Sequence, residues 1–473
     1  MRENSSFYKV CDKLSLVAIS LFALECVLGC SGRWLNFGRF SIRMVLFTLC
    51  FLLTLPNVFR QLRALIRSPY VILTVLFGFY LMLAALIGWK RQNNIGFIVA
   101  DITGFLTLAL MPGFLATVCT PKRIHRLTDM IFWGSLILGI VTTVMHICLA
   151  FIPDTQINML NGLLNNHYMG GFAHLQTGML RIYLRSQIFL QVGLLLGLRK
   201  CWTVSGWKRW LLFVAEGILL FGCLMSLTRG FWLGFAASAV LLLLLYPQFW
   251  KQYLITVGAV AVVVVGLFSL SWLSYGHPVA AKEIVNRFNP ALISGALLPP
   301  DATTPSSPDV TGPSSPDTTV PDSSKPGDSD NIPDSDLDAV EIRQKTLQEL
   351  NTFIRSRPIF GNGLGTSLGG LRDGGKTEYM YQDNLMKLGI VGFLLFLAVF
   401  FLPVLQLLIR AVRRLISKKP IPWDSSEMHD LILACAYIGV ALTSYVNPYL
   451  TNPMGILLVL LTTSAVRPAN ENK

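Results

Sequence analysis

Charge is scarce in this sequence. Of its 473 residues only 14% are Asp, Glu, Lys or Arg, while 53% are hydrophobic. Soluble domains carry about 25% charged residues. The shortage excludes an ordinary globular enzyme, and with it the nucleic-acid binding that a net charge of +13 would suggest in solution. The nine cysteines, at 11, 26, 30, 50, 119, 148, 201, 223 and 435, show neither CxxC spacing nor a disulfide framework and read as small apolar packing residues. His167, His174 and His277 lack metal-ligand spacing. No small-residue cleavage site follows the apolar run after "MRENSSFYKVCDKLSL", so that run is expected to stay in the protein.

What the chain has is apolar runs of the length a helix needs to cross a bilayer, about 20 residues at 1.5 Å each. They fall at about 14–30, 41–58, 70–89, 95–118, 129–152, 182–198, 210–226, 230–246, 252–275, 385–409, 429–447 and 453–466. The expected fold is therefore an all-α polytopic membrane protein of about 12 transmembrane helices. Basic residues cluster in alternate loops: Arg60, Arg63 and Arg67; Lys122, Arg123 and Arg126; Arg199, Lys200, Lys208 and Arg209; Arg410, Arg413, Arg414, Lys418 and Lys419. Such loops face the cytoplasm, which also places both termini there. Arg33, Arg39, Lys90 and Arg91 weaken the contrast in the first third.

One large loop, 276–384, separates residues 1–275 (spans one to nine) from 385–473 (spans ten to twelve and a cytoplasmic tail), and the charge rule puts it outside the cytoplasm. Its part 299–338, rich in Pro, Ser, Thr and Asp, offers too little apolar surface to offset ordering entropy and is expected to be disordered. From 339 to 357 the pattern predicts an amphipathic helix, with Val340, Leu347, Leu350 and Ile354 on one face, lying on the membrane or capping the bundle. Pro358 and Gly361, Gly363 and Gly365 end it. The sequence "GNGLGTSLGG" there lacks the G-K-[ST] ending of a nucleotide-phosphate loop and reads as a turn.

Three groups of polar residues stand at membrane mouths. In "SLTRGFWLGF" Arg229 occupies the tight turn between the seventh and eighth spans. It either snorkels to lipid phosphates or binds an anion. In "GMLRIYLRSQ" Arg181 and Arg185 stand four apart, on one face of the helix expected to begin the sixth span. Like charges so placed repel unless a dianion such as pyrophosphate sits between them; interfacial anchoring is the alternative. In "KTEYMYQDNLMKLGIVGF" Glu378, Tyr381 and Asp383 precede the tenth span. A carboxylate there either bridges one of the three arginines or acts as a general base, the more readily if desolvation raises its pKa.

"SLTRGFWLG", the outer loop with "RSRPIFGNGLGT", and the motif ending "KLGIVGF" together resemble the O-antigen ligase/polymerase superfamily over roughly residues 170–400. The resemblance implies a GT-C-type glycosyltransferase in the bacterial cytoplasmic membrane. It implies metal-independent, inverting transfer, with no cofactor, of a glycan from an undecaprenyl-pyrophosphate carrier to the hydroxyl of an acceptor glycan. Other polysaccharide-assembly proteins are expected partners, and nucleic acid is not. Arg229 matches the family's arginine after a serine-rich helix end, and Arg181 or Arg185 match arginines that engage the carrier's phosphates. Core ligases carry a histidine about eleven residues before the glycine that matches Gly389, and here that position is Glu378. This favours a polymerase over a ligase, with Glu378 as base and Tyr381 and Asp383 orienting it or the sugar.

The rival from another class is a transporter or flippase of lipid-linked glycans, which many spans and intramembrane arginines suit equally. Its signature would be internal repeats, and the Arg229 motif has no second copy.

Overall fold

The computed structural model describes residues 5–30, 32–37, 40–175, 178–287, 336–368, 377–419 and 421–466. Helices dominate: α1 (Ser5–Leu28), α2 (Ile42–Arg60), α3 (Leu62–Ile66), α4 (Pro69–Lys90), α5 (Ile95–Phe105), α6 (Met111–Thr117), α7 (Pro121–Cys148), α8 (Asp154–Asn166), α9 (Ile188–Thr203), α10 (Trp207–Met225), α11 (Arg229–Leu245), α12 (Trp250–Tyr275), α13 (Val279–Arg287), α14 (Asp336–Ser356), α15 (Met380–Ile416), α16 (Ser426–Thr443) and α17 (Pro453–Ala465). Two antiparallel hairpins interrupt them, β1 (Asn36–Phe37) with β2 (Phe40–Ser41) and β3 (Gly170–His174) with β4 (Leu180–Leu184).

The helices begin where their sequences supply a cap. The side chains of Ser41, Asn94 and Ser425 accept the free backbone N–H groups of Met44, Gly96 and Met428 at 3.3, 2.8 and 3.2 Å. Pro69, Pro121 and Pro453 occupy first turns, where a missing N–H costs nothing.

This is a helical membrane protein. Among the described residues six helical stretches are long and apolar enough to cross a bilayer: Ile42–Arg60, Pro69–Lys90, Ile95–Thr117, Pro121–Phe151, Pro247–Tyr275 and Met380–Ile416. Helices cover most of each of the twelve apolar runs, but α9, α11 and α17 have only 16, 17 and 13 residues, short of the roughly 20 a span needs. Two of these short helices are enclosed, whereas α11 exposes Leu233, Val240 and Leu244. From Ile188 to Leu198 every residue of α9 is buried, as is nearly all of α17, so these short helices form the centre of the bundle. On α12 the aliphatic residues Leu254, Val262 and Leu273 are exposed, a surface suited to hydrocarbon.

The expected insert lies outside the described residues up to 335. The helix after it caps the bundle: Leu350 of α14 is fully buried against Leu368, Tyr379 and Met386, the last two at the start of α15. The glycine-rich segment that follows is a buried strap rather than an exposed turn. Asn362 and Gly363 donate backbone N–H groups to the carbonyls of Met386 and Lys387, at 2.8 and 3.0 Å, and Leu364 donates to Ala84 of α4 at 3.0 Å. In return Ile390 donates to Pro358 at 2.7 Å.

This docking requires α15 to break, and Gly389 does so at φ +64°. Gly361, Gly363 and Gly365 take φ +75°, +87° and +76°, and a Cβ on Gly363 would run into the backbone of Gly88. Gly363→Ala is therefore expected to destabilise the protein by at least about 1–3 kcal/mol, since left-handed strain and a backbone clash act together. Thermal unfolding in detergent checks this, and an unchanged melting temperature would show that the strap is not closely docked.

Candidate active site

The turn between α10 and α11 is tight because Leu227 adopts φ +50° and Ser226 accepts the N–H of Thr228 on its hydroxyl at 3.3 Å. Thr228 stands at the N-cap position of α11 without a capping side-chain bond, and Arg229 is the helix's first residue. A cation there sits at the positive end of a helix dipole, about half an elementary charge, an unfavourable place unless an anion is present. A second arginine faces the same turn: Arg181 donates from Nε to the carbonyl of Ser226 at 2.9 Å and from Nη2 to Oγ1 of Thr228 at 3.2 Å. Burial pushes the Arg181 guanidinium down to about 10, Arg287 and Arg343 push the same way, and Tyr449 and Tyr183 oppose them. Arginines from β4, α11, α13 and α14 thus act on this end of the bundle, together with Glu378, which bridges Arg343.

Arg185 does not share that position. Residues 180–184 form a strand, not the start of a helix: Leu180, Ile182 and Leu184 are buried while Arg181 and Tyr183 point the other way, a period of two within an apolar run. Four residues along a strand span about 13 Å, against about 6 Å for the same spacing on a helix. A single pyrophosphate therefore cannot sit between Arg181 and Arg185 as the helical reading required. Arg185 lies past the strand's end, over the ring of Tyr168.

Glu378 stands just before α15 and bridges Arg343 of α14 at 3.1 Å, an arginine that the sequence reading had not considered. Tyr381 points the other way, its hydroxyl donating to the carbonyl of Ala441 on α16 at 2.8 Å. The end of α16 links the two polar turns. Thr443 donates to the carbonyl of Gly230 at 2.9 Å, Tyr449 packs on Phe231 at 5.5 Å, and Tyr445 packs on Tyr379 at 6.2 Å.

Asp383 belongs to a buried network that the sequence reading missed. Lys387, 1% exposed, bridges Asp383 at 3.0 Å and Asp101 of α5 at 3.1 Å. Asp101 also accepts the N–H of Gly365 from the strap at 2.9 Å. Around it Asn93 donates to the carbonyl of Leu364 and Arg91 to Asn362. Asp383 is thus held by Lys387, and Glu378 by Arg343. A charge inside each of the runs "IVADITGF" and "NLMKLGIVGF" was a legible sign, but nothing in one sequence pairs residues 286 apart.

Compared with known proteins, the chain matches no family model, no curated protein and no solved structure.

Proposed function

We propose that this protein is a membrane glycosyltransferase of the GT-C type, with twelve spans, acting outside the cytoplasm on an undecaprenyl-pyrophosphate-linked oligosaccharide. The observation that carries this reading is the convergence of Arg181 and Arg229 on the N-terminus of α11, with Arg287 and Arg343 close enough to act on Arg181. Such a convergence suits a leaving group of high negative charge.

In this mechanism Glu378 removes the proton of an acceptor sugar hydroxyl. The freed oxygen attacks the anomeric carbon from the face opposite the carrier, the carbon–oxygen bond to pyrophosphate breaks, and the configuration inverts. Arg181 and Arg229 stabilise the charge that collects on the departing pyrophosphate. Arg343 positions Glu378 through their ion pair. Asp383 acts from below by holding the first turns of α15, and Tyr381 by fixing them to α16.

The test is incubation of the purified protein with the lipid-linked oligosaccharide, in detergent with EDTA and no nucleotide. Release of undecaprenyl pyrophosphate with a growing glycan ladder identifies a polymerase; a single product that needs added acceptor identifies a ligase. Glu378→Gln is expected to slow release by about 10²–10⁴-fold, the contribution of a general base. Full activity in that variant would remove Glu378 from the mechanism.

A second reading is favoured by the break at Gly389 and the buried Asp101–Lys387–Asp383 network, since broken helices and buried charges also build transporters. Movement of a labelled lipid-linked glycan across vesicles, with no release from its carrier, would select it.

A further inference from the structure

Away from Arg181 and Arg229, two arginines distant in sequence meet on one ring. The guanidinium carbon of Arg33, from the α1–α2 connection, lies 4.7 Å from the centroid of Tyr168, and that of Arg185 lies 5.6 Å from it. All three side chains are exposed. Among the described residues neither arginine makes an ion pair or a side-chain hydrogen bond. Cation–π attraction at exposed sites is weak, so the ring accounts for little of what draws both guanidiniums to it.

Tyr168 is held there at a cost. It follows the C-cap of α8, where Met169 donates to the carbonyl of Leu164 at 2.9 Å and Tyr168 itself takes φ +53°. That left-handed position usually belongs to glycine. A tyrosine in it gains nothing for the helix, so the ring's placement is what it supplies. The C-terminal end of α8 contributes about half a negative charge, less than the charge of either guanidinium, so the pair keeps a net positive charge toward an anion.

The surroundings point to the class of anion that would suit these two guanidiniums. Trp34 and Leu35, next to Arg33, are exposed, as are Met159 and Leu163 on α8, whose Ile157 and Leu164 are buried. Arginine beside exposed tryptophan and aliphatic side chains on an amphipathic helix is the pattern of the headgroup layer of a bilayer. We propose that Arg33, Tyr168 and Arg185 form a binding site for the phosphate of an anionic membrane lipid. The two guanidiniums clamp the phosphate oxygens, Tyr168 fixes their directions, and the lipid's chains lie along Leu163 and Met159. The site is independent of the proposed transfer reaction and of the Arg181–Arg229 mouth.

The experiment is native mass spectrometry of the delipidated full-length protein titrated with phosphatidylglycerol, with inorganic pyrophosphate as soluble competitor. One tightly retained lipid is expected, with affinity lowered at least about tenfold in Arg33→Gln/Arg185→Gln, as loss of charge-assisted hydrogen bonds predicts. Tyr168→Leu should weaken binding with both arginines present, and Arg33→Lys/Arg185→Lys should keep most of it. Should the double glutamine variant not fold, Arg185→Gln alone gives the same reading. Equal retention by wild type and glutamine variants overturns the site, and displacement of the lipid by equimolar pyrophosphate overturns the assignment to a lipid.

Discussion

Replacing Arg229 by alanine is expected to lower release of undecaprenyl pyrophosphate by about 10²–10³-fold, the loss seen when one preorganised group facing developing charge is removed. The residue stands at the first position of α11, with Arg181 bonded to the cap residue beside it. Its charge and the helix dipole therefore act on the same anion. The sign of the stability change separates this role from a structural one. Removing a cation from a helix N-terminus relieves about 0.3–1 kcal/mol of unfavourable dipole energy, so any loss of stability in the variant measures the side chain's other contacts. Arg229→Lys keeps the charge but not the bidentate fork and should fall between the two. Full activity of Arg229→Ala would end the proposed role of this turn, and parallel loss of activity and melting temperature would make Arg229 a packing residue.

Lys387→Met should produce the largest loss of stability, about 3–5 kcal/mol, because it leaves the carboxylates of Asp101 and Asp383 buried without their cation. The effect should spread beyond the pair. Asp101 holds the N–H of Gly365, and the strap to which Gly365 belongs is bonded to both α4 and α15. Adding Asp101→Asn and Asp383→Asn to Lys387→Met removes every charge from the cluster and should recover much of the loss, since a neutral cluster carries no uncompensated ion. Unfolding in detergent measures both. A single variant within about 1 kcal/mol of wild type would mean that the network is not what docks the strap.

Where the sequence was misread, a short apolar run hid its period. Residues 180–184 are apolar enough to join the following helix in any average, yet they alternate and form a strand. The misreading placed Arg181 and Arg185 side by side, whereas the strand sends them to different partners. Likewise the glycines at 361, 363 and 365 were read as a stop signal, which they are locally, but their positive φ values serve close docking against α4 and α15.

By itself the sequence determined that this is a helical membrane protein, where most of its long apolar helices run, and that Arg229 lies at the turn between two of them. These are matters of local composition and spacing, which hydropathy and capping residues carry within a few turns of the chain. Only the tertiary structure decided that α9 and α17 are enclosed, that Arg181 rests on the cap of α11, that Glu378 meets Arg343, and that Lys387 joins Asp101 to Asp383. Each of those pairings depends on how helices far apart in sequence pack. A buried charge can announce that it needs a partner, but which partner reaches it is set by the packing alone.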